Sequence, residues 1–416
     1  MPGSAPAVQH DAGERIRLRA EAGPNAKRCR LATVLSPAGF RDLFMLDPSV
    51  IFLNHGSFGA VPRPVFDEQE RLRREMEAEP VLFLARSLDE RLHAVREAIA
   101  GLVNPASPDD LGLVPNTTTG LNAVARSLAL GRGDEIVVSS HEYGAMLMLW
   151  EEVARIAGAT VRVAAIPEPA PSADEIVDAI AAVVTARTRV LFVSHIASVS
   201  GIVLPVARIC AEARRLGIMS IVDGAHAPGQ LPLDLSAIAA DVYAGNLHKW
   251  VCSPRGSAFV HARPEIQGLI RGPVVSWGWK WSGDDAFQGR FGWPGTVDPT
   301  AFLAVPSAIA FRRAHQWDAV IRSCRDRLEA AITALEATVG GIPAAARALR
   351  APQLAAVHVD LGHREPADVQ RMLWEQSRIE IPVERIGELT VVRMSVQAYV
   401  TDEDCQALVD ALAMIL

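Results

Sequence analysis

The stretch "DVYAGNLHKWVCSPRGSAFVHA", Asp241 to Ala262, sets Lys249 between two runs of apolar, strand-like residues. Burying an ammonium group without a partner is expensive, so a lysine here needs a reason. In open α/β sheets, ligands bind beyond the carboxyl ends of the strands, and "DVYAGNLHK" ends such a run in Asn246, His248 and Lys249. Three other apolar runs end in chemistry-bearing residues: "MSIVDGAH" in Asp223 and His226, "TRVLFVSHIAS" in His195 and Ser198, and "DEIVVSSHEY" in His141 and Tyr143. Five of the eleven histidines, at 55, 141, 195, 226 and 248, fall in such places.

These strands alternate with helical patterns. "SADEIVDAIAAVV" opens with a capping box, Ser172 to Glu175, and "PVARICAEARRLG" is amphipathic and closed by Gly217. Near-continuous apolar strands between helices predict an α/β protein with a large doubly wound, mainly parallel sheet covered on both faces. After about residue 300 the character changes. A long helix over "QWDAVIRSCRDRLEAAITALEATV" leads to a smaller α+β set that ends in a helix begun by Thr401. The expected organisation is a tail over 1–36, a segment over 37–61 packing with the small domain, a large doubly wound domain over 62–300 and a small C-terminal domain over 301–416.

The bulk numbers exclude several classes. The chain has 416 residues, half of them hydrophobic, and a net charge of −7, which points to neither a nucleic-acid nor a membrane partner. Five dispersed cysteines, with no CxxC or Cys/His ligand spacing, suit neither a disulfide scaffold nor a metal site; a reducing cytoplasm is the expected compartment. The first 36 residues carry six Lys/Arg against three Asp/Glu and no apolar h-region. A disordered tail is the expectation adopted over a basic transit-like peptide.

The strand ends share one chemistry. "PNTTTGLNAVARSL" joins a loop to a helix whose hydroxyls and free N–H groups suit a phosphate, a reading preferred here to a simple N-cap cluster at Thr117 to Thr119. A phosphate site, a carboxylate and an amine together call for pyridoxal 5'-phosphate, held by a Schiff-base lysine and a carboxylate on the pyridinium nitrogen. Lys249 is then no unpaired buried charge.

Here a resemblance becomes specific. "VDGAHAPG" followed by "AGNLHKW", with Asp223 and Lys249 26 residues apart, resembles the class V aminotransferase family of fold-type-I pyridoxal phosphate enzymes. "FLNHGSFGAVPRPVF", "FLARSL", "HEYGAM" and "VRMSVQAYVTDEDC" look most like its isopenicillin N epimerase-like subgroup. The likeness runs from about residue 40 to the C-terminus. It implies that Lys249 forms the internal aldimine and shuttles the Cα proton, while Asp223 pairs with the pyridinium. His226 would bond the phenolic oxygen and Tyr143 would stack on the ring. Thr117, Thr118, His248 and Asn246 would contact phosphate, and Ser198 sits where desulfurases carry an asparagine. Thr296 matches a contact made across a homodimer interface. Arg393 matches the clamp on a substrate α-carboxylate, and Asn54, His55 and Arg86 are further substrate-side candidates.

The implied substrate is an amino acid or small peptide, and the shared first step leads to three outcomes. Epimerisation comes first, β-elimination such as C–S cleavage second, and transamination third. Epimerisation needs a second proton donor, for which Tyr143 is the candidate. "QSRIEIPVERIGELTVVR" holds no cysteine, which disfavours sulfur transfer through a protein persulfide. His55 and His195 suit structural and active-site roles equally. "VVSWGWKWSG" suits a loop over the substrate or intersubunit packing. Cys252 reads as a structural thiol, on the ground that neighbouring strand positions face opposite ways. Outside this class stand a cofactor-binding sensor and a metal hydrolase built on Asp223, His226 and His248, which leaves Lys249 unexplained.

Overall fold

The computed structural model describes residues 35–281 and 286–416. The expected tail therefore lies outside the described residues except for Leu35 and Ser36, as do two residues of the tryptophan-rich stretch, Ser282 and Gly283.

Seven strands build the main sheet: β1 (Leu111–Val114), β2 (Glu135–Ser139), β3 (Thr160–Ala164), β4 (Thr188–Ser194), β5 (Met219–Asp223), β6 (Val242–Asn246) and β7 (Ala258–Ala262). Their order is β1-β7-β6-β5-β4-β2-β3. The run from β6 to β3 is parallel, whereas β7 lies antiparallel between β6 and β1. The apolar runs are explained by double-sided burial. Val137, Leu191, Val222 and Tyr243 face one core cluster, while Ile136, Phe192, Ile221 and Ala244 face the other. The predicted capping box is present: Ser172 Oγ accepts from Glu175 N at 3.2 Å, and Glu175 Oε2 accepts from Ser172 N at 2.8 Å.

The C-terminal part carries a second, antiparallel sheet of β8 (Ile342–Pro343), β9 (Leu354–His358), β10 (Val383–Ile386) and β11 (Leu389–Ser395), in the order β10-β11-β9-β8. The helices Trp317–Val339 and Pro366–Ser377 pack on it. Residues 37–61 reach these C-terminal elements: Ile51–Phe52 pairs in parallel with Ile379–Glu380, and the Phe44 ring lies 4.9 Å from that of Tyr399, edge to face.

The register explains where the site falls. Val114 and Asn246 both pair with Ala258, so the carboxyl ends of β1 and β6 lie in one row. Ser194, Asp223 and Ala244 form the next row across β4, β5 and β6. The connection at Asp223 also depends on a glycine: a Cβ on Gly224 would sit 2.3 Å from the Tyr243 ring. One expectation changes here. Lys249 and Cys252 lie in a turn beyond β6, not in a strand, so the alternation argument for Cys252 does not apply. Its thiol is nonetheless buried, with Sγ 4.0 Å from His55 Nε2 and 3.7 Å from Gln397 Nε2.

Candidate active site

The strand ends converge on one cavity lined by Thr117, Thr118, Tyr143, Ser198, Asp223, His226, Asn246, His248 and Lys249 from among the sequence candidates. Lys249 Nζ lies 2.9 Å from His226 Nε2. Trp250 Nε1 donates to His226 Nδ1 at 3.3 Å, so the imidazole carries its proton on Nε2 and donates it to the lysine nitrogen. That requires a neutral amine. Burial lowers the Lys249 pKa to about 7; Arg393 adds to the effect and Asp223 opposes it. The Asp223 carboxyl is pushed up by burial, against the Ala225 N–H and Lys249, which favour the anion. Ala225 N donates to Asp223 Oδ1 at 2.9 Å. His226 is held well below the usual imidazole range, and His248 falls to about 4, first by burial and then by Lys249.

The helix Thr117–Ser127 points its first turn at this cavity, but the cap is Asn116 rather than a threonine. Asn116 Oδ1 accepts from Thr119 N at 2.8 Å, and Asn246 Oδ1 accepts from Thr117 N at 3.0 Å. The Thr118 amide is then the free donor of that turn. Among the described residues, no hydrogen-bond partner meets the geometry at the buried His248 Nδ1. Phosphate donors at one end, a buried carboxyl and a neutral amine form a donor set that suits pyridoxal phosphate.

Arg393 is 4% exposed. Its Nη2 donates to Asn54 Oδ1 at 3.1 Å and Ser57 Oγ at 2.6 Å, and its Nη1 donates to the Ser198 carbonyl at 3.0 Å. Nε is buried and has no hydrogen-bond partner among the described residues. Asn54 thus sits behind Arg393, and its Nδ2 donates to Glu380 at 3.1 Å.

Of the sequence candidates, Arg393, Asn54, His55, His141, His195, Arg86 and Thr296 do not line the cavity. His55 is fully buried, with Nδ1 2.9 Å from the Tyr399 hydroxyl and Nε2 2.8 Å from the Lys249 carbonyl. It supports the lysine's turn. His195 is engaged by the Tyr243 hydroxyl at 2.8 Å, and burial holds both histidines at about 4. Arg86 is exposed on a π-helical turn, Leu82–Ser87, and Thr296 is exposed in the loop after Trp293.

Sequence reasoning missed Asn116, Ser57, Phe58 and Ser194 on the cavity wall. It also missed Glu142. This buried carboxyl accepts from Ser139 Oγ at 2.5 Å, from Ser194 N at 3.1 Å and from Ser194 Oγ at 2.6 Å, and it ties the ends of β2 and β4 beside Asp223. Burial raises it to about 7, with Asp223 adding. An Asn three residues before Thr119 was the legible signal for the cap; a lone Glu in "HEY" carries none.

A lysine and a carboxylate at the ends of a mixed seven-stranded sheet, with a small antiparallel C-terminal sheet beside it, define a fold-type-I pyridoxal phosphate enzyme. The chain belongs to the aminotransferase class-V family, whose sequence model matches residues 59–408. It is 38% identical over 398 residues to the isopenicillin N epimerase of Amycolatopsis lactamdurans, covering 90% of this chain and 97% of that one. The isopenicillin N epimerase of Streptomyces clavuligerus is 38% identical over 391 residues, covering 89% and 96%. An L-cysteine desulfhydrase of Arabidopsis thaliana is 30% identical over 302 residues, covering 68% and 65%. Among solved structures, the Escherichia coli cysteine desulfurase CsdA superposes with a TM-score of 0.77 at 23% identity, over 92% of this chain and 99% of that one. A variant of C-DES with glycine covalently linked to its pyridoxal phosphate gives a TM-score of 0.77 at 22% identity, over 90% and 98%.

Proposed function

We propose that this chain binds pyridoxal phosphate in the Lys249–Asp223 cavity and epimerises an amino acid or small peptide at Cα. The observation that carries the reading is a buried, neutral-leaning amine sharing one cavity with a buried carboxyl. Thr117, Thr118, Asn246 and His248 would hold the phosphate, Asp223 the ring nitrogen, His226 the phenolic oxygen and Tyr143 the ring face. Bound there, the cofactor supplies an electron sink that acidifies the Cα–H of an attached amino acid.

The chain's own residues do the rest. Asp223 keeps a proton on the ring nitrogen. Lys249 Nζ, near neutral at pH 7, takes the Cα proton as a general base. Arg393, whose guanidinium is held still by Asn54, Ser57 and the Ser198 carbonyl, binds the substrate carboxylate. Tyr143, 48% exposed on the cavity wall, returns a proton on the face away from Lys249. The two 38% identical epimerases support this outcome over elimination; the 30% identical desulfhydrase supports C–S cleavage as the second reading.

Arg86 and Thr296 lie off the cavity wall of their own chain, so site roles for them require a second copy. A homodimer with the site at its interface would also cover Phe58, which lines the cavity and is 70% exposed. The test is spectroscopic: the loaded protein should show a visible absorbance band that Lys249→Ala abolishes together with turnover. Full turnover in that variant would end the reading.

A further inference from the structure

The turn that carries Lys249 is gripped at three successive carbonyls by distant parts of the chain. Gly59, at φ 69°, lies so close to the His248 carbonyl that a Cβ would sit 1.9 Å from its oxygen. His55 Nε2 is 2.8 Å from the Lys249 carbonyl oxygen. Arg312 Nη1, from the helix Val305–Ala314, donates to the Trp250 carbonyl. The same guanidinium donates through Nη2 to the Gly229 carbonyl at 2.8 Å. Gly229 lies on the connection after β5, six residues beyond Asp223 and three beyond His226. The two turns touch there: a Cβ on Gly229, at φ 91°, would lie 2.5 Å from the Trp250 carbonyl.

Arg312 is therefore one buried cation bridging the connection that follows Asp223 and His226 to the Lys249 turn. Among the described residues no carboxylate pairs with it; its neighbours are the two carbonyls and the Trp317 ring, with Cζ 5.0 Å from the ring centroid. Burial lowers its pKa to about 10, against Cys252 and Asp318. Burying a charge without an ion pair is a poor way to gain stability, but a planar fork suits holding two carbonyls at a set separation. Cys252, in the same turn, is a non-glycine residue at φ 61°, a conformation that needs outside restraint.

We propose that Arg312 is a positioning residue: it fixes Lys249 against Asp223 and His226 so that the amine meets the reacting Cα proton. This rests on the function proposed above, and the test separates the two. Arg312→Lys and Arg312→Met are made in the full chain. Hydrogen exchange is first followed without added cofactor. The expected result is faster exchange confined to residues 224–231 and 247–253, with β1 to β4 unchanged. The loaded variants should then lose α-proton exchange about 10- to 100-fold per chromophore, as misplacements near 1 Å do, with KM within about twofold. Lysine, which reaches one carbonyl, should recover part of the loss. Exchange that is unchanged, or raised evenly over the chain, would overturn the proposal, as would a kcat within about twofold of the parent in both variants. If Arg312→Met does not fold, Arg312→Lys carries both readouts. If the parent enzyme exchanges no α-proton, the function fails while hydrogen exchange still judges the bridge.

Discussion

Glu142→Gln isolates the buried acid beside Asp223. An exposed glutamate titrates near 4.5, and burial moves Glu142 to about 7. A carboxyl raised on folding contributes stability that is present below 4.5 and lost as pH rises through about 7. At about 1.4 kcal/mol per pH unit across that window, the loss is about 3 kcal/mol. Glutamine keeps an oxygen for Ser139 Oγ and Ser194 N, presents an amide to Ser194 Oγ, and does not ionise. His55, His195 and His248, lowered to about 4, act in the opposite sense: their contribution is lost as pH falls, equally in both proteins. The stability of Glu142→Gln minus that of the parent should therefore climb by about 3 kcal/mol between about pH 4.5 and 8 and then flatten. Urea unfolding of the cofactor-free proteins at stepped pH measures it, because bound cofactor would add its own linkage. A flat difference would refute the reasoning. A difference that falls with pH would show that the serines hold an anion there.

Further expectations follow from single contacts. Gly59→Ala meets both a left-handed backbone and the His248 carbonyl, so it should cost well over 1 kcal/mol in thermal unfolding and weaken pyridoxal phosphate binding by displacing Lys249. The Lys249 amine should react with pyridoxal at a rate that rises only about tenfold from pH 6 to 8 and then levels, as a group near 7 does. An ordinary lysine near about 10.4 would rise about a hundredfold without levelling. Trp250→Ala empties a fully buried site against the His55 ring and should cost about 3–5 kcal/mol by chemical denaturation. Sedimentation velocity should find a homodimer; a monomer that retains full activity would remove Arg86 and Thr296 from the site.

The main sheet was legible because strands buried on both faces leave apolar runs, and the Asp223–Lys249 pair because its spacing is rigid. The antiparallel placement of β7 was not legible, since an apolar run has no direction. Roles that depend on burial were also hidden. Glu142 in "HEY" and Arg312 in "FRRA" carry no sequence signal of burial, and only the fold encloses them. His55 and His195 stood between two roles, and the Tyr399 and Tyr243 hydroxyls place them in the core. Threonines suggested the helix cap, whereas Asn116 supplies it because its side chain reaches the Thr119 amide.

The most direct test of the central claim is proton NMR of the loaded enzyme in deuterated water with L-amino acids, S-substituted cysteines and small peptides. An epimerase exchanges the α-proton with the carbon skeleton intact and accumulates the opposite configuration, and Lys249→Ala loses both. Pyruvate and ammonia in place of an epimer would contradict epimerisation and leave C–S cleavage. No exchange with any compound would contradict chemistry at Cα on these substrates.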